Sequence, residues 1–344
     1  MILVFPVLAV GCDGSVPCRR GPTARPRAVD SVPVWECVWE TPGERRGGRL
    51  SGWGANGESM RVGIVGQKDN ERAAATVGAV AGRLDDLGVE LAVDEVTTDQ
   101  IGEGWPADAP PLSAVATPVD AMSETDLVVS VGGDGTFLFA ARGAGSTPIV
   151  GINLGEVGFL NAVPPDDAVT AVEREVAQFR DEGRVTTRDM PRLQASGDGW
   201  ELPAALNEVV VQGPRRGHGG GASVAVSVDG STYTSGHADG VLVATPAGST
   251  AYNLSERGPL VHPDVAGFVV NEMSGEEPMP PLAIGTDATV TVDVENADGG
   301  FVVSDGRVRQ SVETPARVRI ERAGQPVRIA GPPLDFFAAL SKLG

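Results

Sequence analysis

Residues 126–140 read DLVVSVGGDGTFLFA, and this stretch decides the fold. The residues before its glycines are mostly apolar and predict a strand. The glycines of the GGDGT segment, residues 132–136, predict a tight turn, and the apolar residues after it predict a short helix through Ala140. A strand that turns directly into a helix is the unit from which parallel α/β sheets are built.

The same alternation continues on both sides of this stretch. Before it, Arg61–Gly66 (RVGIVG) predicts a buried strand, and residues 71–88 predict a helix whose apolar side chains are spaced by three and four. After it, Pro148–Ile152 predicts another strand, and residues 166–181 predict an amphipathic helix with acidic residues in its first turn. These elements predict a parallel sheet with helices on its faces.

After about Thr186 the apolar period changes from 3.6 to 2. Valines at 224–228 and at 290–294 alternate with small or polar residues, and Val318 and Ile320 follow the same pattern. Gly and Asp-Gly turns separate these runs, which is typical of many short antiparallel strands. We therefore expect a β-sandwich.

The predicted organisation has four segments. Residues 60–185 form an α/β domain that binds nucleotide phosphates, and residues 186–330 form the β-sandwich. Residues 331–344 contain a helix, DFFAALSKL, that returns to the first domain. Residues 1–59 are expected to be a disordered leader or a misassigned start.

The expectation for the leader rests on its composition. All three cysteines precede Met60, and prolines and glycines interrupt any helical or strand period. The alternative is a lipoprotein signal, Met1 to Gly11 ahead of Cys12, although it lacks a basic region and its apolar run is short. Without these cysteines, the remaining chain offers no disulfide or cysteine–metal chemistry.

The charge of the chain limits its partners. The sequence has 344 residues, 46 acidic against 27 basic, and a net charge of −19. Such a surface repels phosphate backbones, which argues against nucleic-acid binding. No apolar stretch has the length of a membrane span. An acidic, lysine-poor chain indicates a salt-adapted protein, for which we expect a cytoplasmic location.

The GGDGT turn indicates phosphate chemistry. Glycines let backbone N–H groups approach phosphates, and a helix N-terminus favours anions, so Gly132, Gly133 and Thr136 are candidates for a phosphate cradle. Asp134 is unfavourable there unless it holds a metal ion or takes a proton. The turn therefore predicts a phosphoryl-transfer site, with an ordinary Asp-Gly turn as the alternative.

Three further segments are candidates for a binding site. Residues 239–255 (DGVLVATPAGSTAYNLS) run from an acid through a strand into a turn rich in hydroxyl groups. Asn207 and Glu208 lie side by side in an apolar strand, where burial requires hydrogen bonds. Residues 153–160 (NLGEVGFL) can wall a flat ring with Phe159. The alternatives are a capped strand–helix joint, a strand edge and a simple loop, respectively.

Taken in order, these segments resemble the NAD kinase family over residues 60–343. GGDGT alone also occurs in diacylglycerol and sphingosine kinases, whereas TPAGSTAY with an upstream Asn-Glu pair is specific. The resemblance implies an α/β domain followed by a β-sandwich domain, and a phosphoryl transfer from ATP or polyphosphate to the 2′-hydroxyl of the adenosine ribose of NAD. A Mg²⁺ or other divalent ion would bridge phosphate oxygens, and no residue is directly assigned as its ligand.

The resemblance also implies roles for individual residues. Asp134 is the general base, Asn207 and Glu208 hold the nicotinamide-side ribose, and Asp239 reads a polar base edge. Ala247 stands where many members have Thr or Ser. The implied NAD-binding residues are Asp134, Gly135, Phe159, Asn207, Glu208, His218, His237, Asp239, Ala247, Thr250, Ala251, Tyr252, Asn253, Leu254 and Ser255.

The expected partners are the small molecules NAD and ATP and further copies of the chain, as a homodimer or homotetramer. Two alternatives remain open from the sequence. One is an NAD-binding regulator that kept the fold without catalysis, against which the retained Asp134 argues. The other is a lipid kinase with the GGDGT turn, which would need an acyl channel or a basic surface facing a membrane.

Overall fold

The computed structural model describes residues 59–341, except 156–157, 218–219 and 276–278. The predicted leader lies outside the described residues apart from Ser59, and so does the predicted contact residue His218. In the described part of the chain, no helix combines the length and the apolar character needed to cross a membrane.

The first part of the chain alternates strands and helices, as predicted. Its elements are β1 Arg61–Gly66, α1 Glu71–Asp86, β2 Glu90–Asp94, α2 Glu95–Ile101, α3 Leu112–Val115, β3 Ala116–Thr117, β4 Leu127–Gly132, α4 Asp134–Ala144, β5 Ile149–Asn153 and α5 Ala168–Glu182. Strand β1 pairs in parallel with β2 and β4, and β4 pairs in parallel with β5. The prediction of a parallel α/β sheet is confirmed.

Helix α1 shows why the sequence folds this way. Asn70 caps its N-terminus by accepting a hydrogen bond from the backbone N–H of Ala73 at 3.1 Å. Val77, Val80 and Leu84 are buried together with the apolar residues of β1 and β4. The helix ends two residues before Gly88, whose φ of 69° is a left-handed conformation that suits glycine.

The second part of the chain contains a sandwich of two antiparallel sheets together with elements that pack elsewhere. Its elements are β6 Arg188–Met190, β7 Leu193–Gly197, β8 Trp200–Glu201, β9 Glu208–Gln212, β10 Ala222–Val228, β11 Ser231–Ala238, β12 Gly240–Ala244, α6 Tyr252–Ser255, β13 Gly267–Met273, β14 Leu282–Gly285, β15 Val290–Glu295, β16 Gly300–Ser304, β17 Val308–Val312, β18 Ala316–Arg322, β19 Val327–Ile329 and α7 Phe336–Leu340.

The two sheets have the orders β11-β10-β15-β18-β7-β8 and β14-β13-β12-β9-β16-β17. Val224 and Val226 on β10 and Val292 on β15 are buried against Val211 and Val243 of the other sheet. The period of two that the sequence shows therefore marks the inner face of the sandwich, and this part of the fold prediction is also confirmed.

Two short strands differ from the predicted boundaries. Strands β6 and β19, predicted within the sandwich segment, join the α/β sheet in the order β3-β2-β1-β4-β5-β19-β6. Each has three residues, which is too short for a period of two to show which sheet it joins. Strand β2 and helix α2 were not predicted, since the apolar run of β2, residues 91–93, has only three residues.

Helix α7 contacts both parts of the chain. The ring of Phe336 lies 6.0 Å from Phe159, which follows β5, and 5.2 Å from His262, which precedes β13. The sequence predicts packing on the first domain alone. The aromatic contacts with His262 add the sandwich to the surface that this helix covers.

Candidate active site

Asp134 is held by backbone N–H groups of the loop after β5. Its carboxylate accepts hydrogen bonds from the backbone N–H of Phe159 at 3.0 Å and of Leu160 at 3.2 Å, and from the side-chain amide of Asn161 at 3.3 Å. A Cβ on Gly158 would lie 3.2 Å from the same carboxylate, so a glycine lets the loop approach closely. Burial raises the pKa of Asp134, and the three donors act in the opposite direction.

The glycine turn opens on a cavity. The cavity has a volume of about 390 Å³ and is lined by Gly133, Gly135 and Thr136 at the start of α4, together with Lys68 and Arg307. Backbone N–H groups at a helix N-terminus and two cationic side chains favour an anion there. Gly133 and Thr136 of the predicted phosphate cradle therefore line the cavity, whereas Gly132 does not.

Asn207 and Glu208 lie at the start of β9, between β12 and β16. Both are buried, with 9% and 6% of their surface exposed. The Oε2 atom of Glu208 is buried and has no hydrogen-bond partner among the described residues. Burial and the neighbouring carboxylate of Asp305 raise the pKa of Glu208 to about 8.

The TPAGST turn packs directly on this pair. The Thr245 hydroxyl donates to the carbonyl of Leu206 at 2.5 Å and accepts from the backbone N–H of Gly248 at 3.1 Å. A Cβ on Gly248 would overlap the carbonyl of Asn207, which explains the glycine. Ala247 is buried in the same apolar cluster as Leu206.

Tyr252 begins α6 and is held from one side. Its hydroxyl accepts a hydrogen bond from Arg216 at 2.6 Å, and the Arg216 guanidinium lies 5.3 Å from the ring centroid. Gln212 accepts a second hydrogen bond from Arg216 at 2.9 Å. Burial and the carboxylate of Glu256 raise the pKa of Tyr252 to about 12, although Arg216 lowers it.

Thr250 and Ala251, the two residues before Tyr252, are half-buried. The Thr250 hydroxyl donates to the carbonyl of Ala247 at 3.1 Å. A hydroxyl oxygen that donates in this way still accepts hydrogen bonds, so Thr250 keeps an acceptor for a ligand.

The last three residues of the motif differ among themselves. Asn253 is fully buried, and its amide donates to the carbonyl of Pro259 at 3.0 Å. It also lies 3.5 Å from the amide of Asn271. Leu254 and Ser255 are exposed. Asn253 therefore has structural partners within the protein, and its predicted contact with NAD remains a prediction, as do those of Leu254 and Ser255.

Asp239 and His237 contact the segment after β9. Asp239 accepts a hydrogen bond from the backbone N–H of Gly217 at 2.9 Å, and the Nε2 atom of His237 lies 2.8 Å from the carbonyl oxygen of Gly220. His237 is exposed and Asp239 is half-buried. Both residues thus hold the segment that contains Arg216, the partner of Tyr252.

The motifs of the α/β part, around Asp134 and Phe159, and those of the sandwich part, around Asn207 and the TPAGST turn, meet through one apolar cluster. Four residues are buried in this cluster together: Phe137 of α4, Leu160 of the loop after β5, Leu206 before β9 and Ala247 of the TPAGST turn. Asp134 and Phe159 are thereby fixed relative to the Asn207–Glu208 pair. A second cavity, of about 630 Å³, lies against β6 and the β18–β19 connection, and none of its lining residues belongs to the predicted site.

Sequence reasoning missed Asp305 and Arg307. Asp305 accepts hydrogen bonds from the backbone N–H of Leu206 at 2.9 Å and of Asn207 at 2.7 Å, and Arg307 lines the cavity at Gly135. The Asp-Gly pair at 305–306, between two alternating runs, is the signal in the sequence. It is equally typical of an ordinary hairpin turn, which is what the alternating runs on either side predict.

Family models match most of the described chain. A model of the ATP-NAD kinase N-terminal domain matches residues 62–178, and a model of the ATP-NAD kinase C-terminal domain matches residues 206–330. Among solved structures, an NAD kinase from Archaeoglobus fulgidus in complex with ATP has a TM-score of 0.64 and 25% identity, and covers 83% of this chain and 100% of its own. Yeast NADH kinase complexed with NADH, at 20% identity and a TM-score of 0.70, shares the fold and covers 83% of this chain and 87% of its own.

Similar proteins of known name come from halophilic archaea. The NAD kinase of Haloarcula marismortui is 60% identical over 286 residues, that of Halorubrum lacusprofundi 56% over 284, and that of Halobacterium salinarum 52% over 289. Each match covers 83% of this chain and 100% of the relative. These relatives agree with the acidic composition, and the chain belongs to the NAD kinase family.

Proposed function

We propose that this kinase phosphorylates the 2′-hydroxyl of the adenosine ribose of NAD with ATP, and that Asp134 is the general base. The observation that supports this role is the set of three hydrogen bonds on the Asp134 carboxylate. They fix the orientation of a carboxylate whose neighbours Gly133 and Gly135 line the phosphate cavity, and burial raises its pKa, which makes it a better proton acceptor.

The phosphoryl transfer forms one bond to phosphorus and breaks another. The 2′-oxygen of NAD forms a bond to the γ-phosphorus of ATP while the bond from that phosphorus to the β–γ bridging oxygen breaks, and ADP leaves. The hydroxyl proton passes to Asp134. Because the transition state of phosphoryl transfer is loose, positioning and charge supply most of the acceleration.

Asn207 and Glu208 would orient the acceptor. Glu208 keeps its proton near neutral pH, since its pKa is about 8, and a protonated carboxyl group both donates and accepts. Its unpartnered Oε2 atom is buried and thus suits a ribose hydroxyl. Tyr252, held by Arg216, would add an aromatic wall.

The carboxylates near the cavity fit a divalent ion that binds together with the phosphates of ATP. In the described part of the chain, no group of three or more His, Cys, Asp or Glu side chains is placed to hold a metal ion. Mg²⁺ commonly binds through one or two carboxylates, waters and substrate phosphates. Asp94, which lines the cavity, and Asp134 would hold the ion. When bound, Mg²⁺ neutralises charge on the phosphates.

The test compares the wild-type protein with Asp134→Asn in molar KCl. NADP formation from NAD, ATP and Mg²⁺ is followed, and NAD binding is measured by calorimetry. Loss of the base should lower kcat by about 10²–10⁴-fold with NAD affinity nearly unchanged. Asp293→Asn, at a half-buried aspartate of β15 outside the candidate site, is the matched control, and an arm with polyphosphate tests the donor.

Turnover by Asp134→Asn close to that of the wild type would remove Asp134 from the role of base. No NADP from the wild type with either donor, although NAD binds, would instead favour the non-catalytic regulator.

We further propose a cytoplasmic location and a homodimer or homotetramer. The acidic composition supports the first. Phe337 on α7, with 71% of its surface exposed, supports the second, since large apolar side chains exposed on a monomer often mark an interface. Light scattering in molar KCl measures the mass, and fractionation of cells measures the location.

A further inference from the structure

The turn between β16 and β17 reaches from the sandwich to the α/β part. Asp305 has a φ of 46° and Gly306 a φ of 64°, so two successive left-handed residues reverse the chain. Asp305 accepts hydrogen bonds from the backbone before β9. Arg307 extends toward the GGDGT turn, where its Nη2 atom would lie 3.5 Å from a Cβ on Gly135.

Other cationic groups lie near Arg307. It lines the cavity together with Lys68 and the N-terminal residues of α4. A second guanidinium, Arg142, lies nearby: burial lowers the pKa of Arg142, and the charge of Arg307 lowers it further, while Asp305 acts in the opposite direction. The buried Nε of Arg142 has no hydrogen-bond partner in the described part of the chain.

No described residue forms an ion pair with Arg307. The side chains of Lys68 and Arg307 and the N-terminal residues of α4 therefore line one cavity in a chain with a net charge of −19, and Asp94 is the acidic residue of that lining. Cationic side chains without an ion-pair partner are stabilised when an anion binds between them.

We propose that Arg307 binds the terminal phosphates of the phosphoryl donor. This inference rests on the proposed function, and it adds that the sandwich supplies a cation to the donor site. The ligand chemistry is a phosphoanhydride chain, which ATP and inorganic polyphosphate share. Arg307 approaches Gly135, the neighbour of Asp134, so its phosphate contact lies next to the proposed base.

Arginine suits this place better than lysine. Its planar guanidinium offers several N–H donors in a fixed geometry and pairs with two phosphate oxygens at once. Asp305 fixes the turn from which it projects, so little freedom is lost when phosphate binds. Arg307→Lys should therefore keep the charge but only part of the binding.

The experiment compares Arg307→Ala, Arg307→Lys and the control Arg317→Ala, an exposed arginine paired with Asp293 on the sandwich. KM and kcat are measured for ATP, for polyphosphate and for NAD, at fixed KCl. We expect Arg307→Ala to raise the KM for the donor about ten- to a hundredfold and to lower kcat, with the KM for NAD within about threefold. Arg307→Lys should fall between it and the wild type.

An effect on ATP alone or on polyphosphate alone would support the proposal and identify the donor. An unchanged KM for both donors would overturn it, and so would an equal rise in the KM for NAD, which would indicate a structural role through Asp305.

Binding of Mg²⁺-ATP, measured by calorimetry in the Asp134→Asn background, separates this proposal from the one on catalysis. If the wild type makes no NADP, the proposed function fails, while Arg307 is still judged by this binding. Equal affinity with and without Arg307 would then overturn the present inference.

Discussion

The backbone N–H of Asn207 donates a 2.7 Å hydrogen bond to the carboxylate of Asp305, across 98 residues of sequence. The same carboxylate accepts from Leu206 and, at 3.3 Å, from Glu208. These donors satisfy a carboxylate that burial would otherwise make costly. The position of the Asn-Glu pair thus depends on a turn that belongs to a different hairpin.

Asp305→Ala should destabilise the protein by about 2–4 kcal/mol, because it leaves buried backbone N–H groups without an acceptor. Urea unfolding at constant KCl measures the change in the free energy of unfolding. Asp293→Ala, on the exposed face of β15, should cost less than about 1 kcal/mol. Equal costs for both variants would contradict the role given to Asp305.

Adjacent glycines of the GGDGT turn should respond differently to alanine. A Cβ on Gly132 would lie 2.5 Å from the Thr136 hydroxyl and 2.9 Å from the Cβ of Gln67, whereas a Cβ on Gly133 meets nothing within 4 Å. We expect Gly132→Ala to cost about 1–3 kcal/mol of stability and Gly133→Ala less than about 1.

Thermal unfolding of the two variants measures this difference. Because the methyl group of Gly133→Ala faces the cavity, its effect should appear in the KM for the donor. A stable Gly132→Ala protein would show that Thr136 and Gln67 move aside.

Glu208 should make stability depend on pH. Its pKa is about 8 in the folded state, against 4.5 for an ordinary glutamate, so between these values the folded state binds a proton that the unfolded state has lost. The contribution of Glu208 to the free energy of unfolding should therefore be greatest below pH 4.5, and it should be lost as the pH rises through about 8.

Glu208→Gln removes this dependence and should gain roughly 2–4 kcal/mol over wild type at alkaline pH. Urea unfolding across the pH range compares it with Glu295→Gln, an exposed control. Parallel pH profiles for Glu208→Gln and the wild type would mean that Glu208 is ionised in the folded protein at neutral pH.

Alanine at Asn253 and at Ser255, two residues apart, should change stability by different amounts, because Asn253 is buried and Ser255 is exposed. Asn253→Ala removes a fully buried amide that bonds Pro259, and should cost about 2–3 kcal/mol. Ser255→Ala changes an exposed hydroxyl and should stay within about 0.5 kcal/mol. Thermal unfolding checks the pair, and the KM for NAD of each variant tests its predicted contact.

Much of the fold could be predicted because its signals are local. The strand, glycine turn and helix around Asp134 lie within fifteen consecutive residues, and the valines of β10 and β15 repeat every second residue. Strands β6 and β19 carry no such signal. Three residues cannot show a period, and their place in the α/β sheet follows from pairing with each other and with β5.

The candidate site could be predicted only where a motif is contiguous. The Asn-Glu pair and the TPAGST turn come together because β9 pairs with β12, which brings Glu208 opposite Ala244. Neither motif on its own predicts this pairing. Asp305 and Arg307 act on residues far away in sequence. An Asp-Gly turn looks the same whether its side chains face water or a distant backbone, so only the folded chain distinguishes the two cases.

The pairing of β6 with β19 has a consequence for the architecture. Met190 lies opposite Val327 and Arg188 opposite Ile329, so the chain leaves the α/β sheet and re-enters it on adjacent strands. The sandwich is in effect an insertion, and a short loop joining these two strands would excise it while leaving the remaining sheet continuous. Two side-by-side attachments place both covalent connections at one edge of the α/β sheet, and the buried cluster of Leu206 and Ala247 with Phe137 is a contact between the two parts away from that edge.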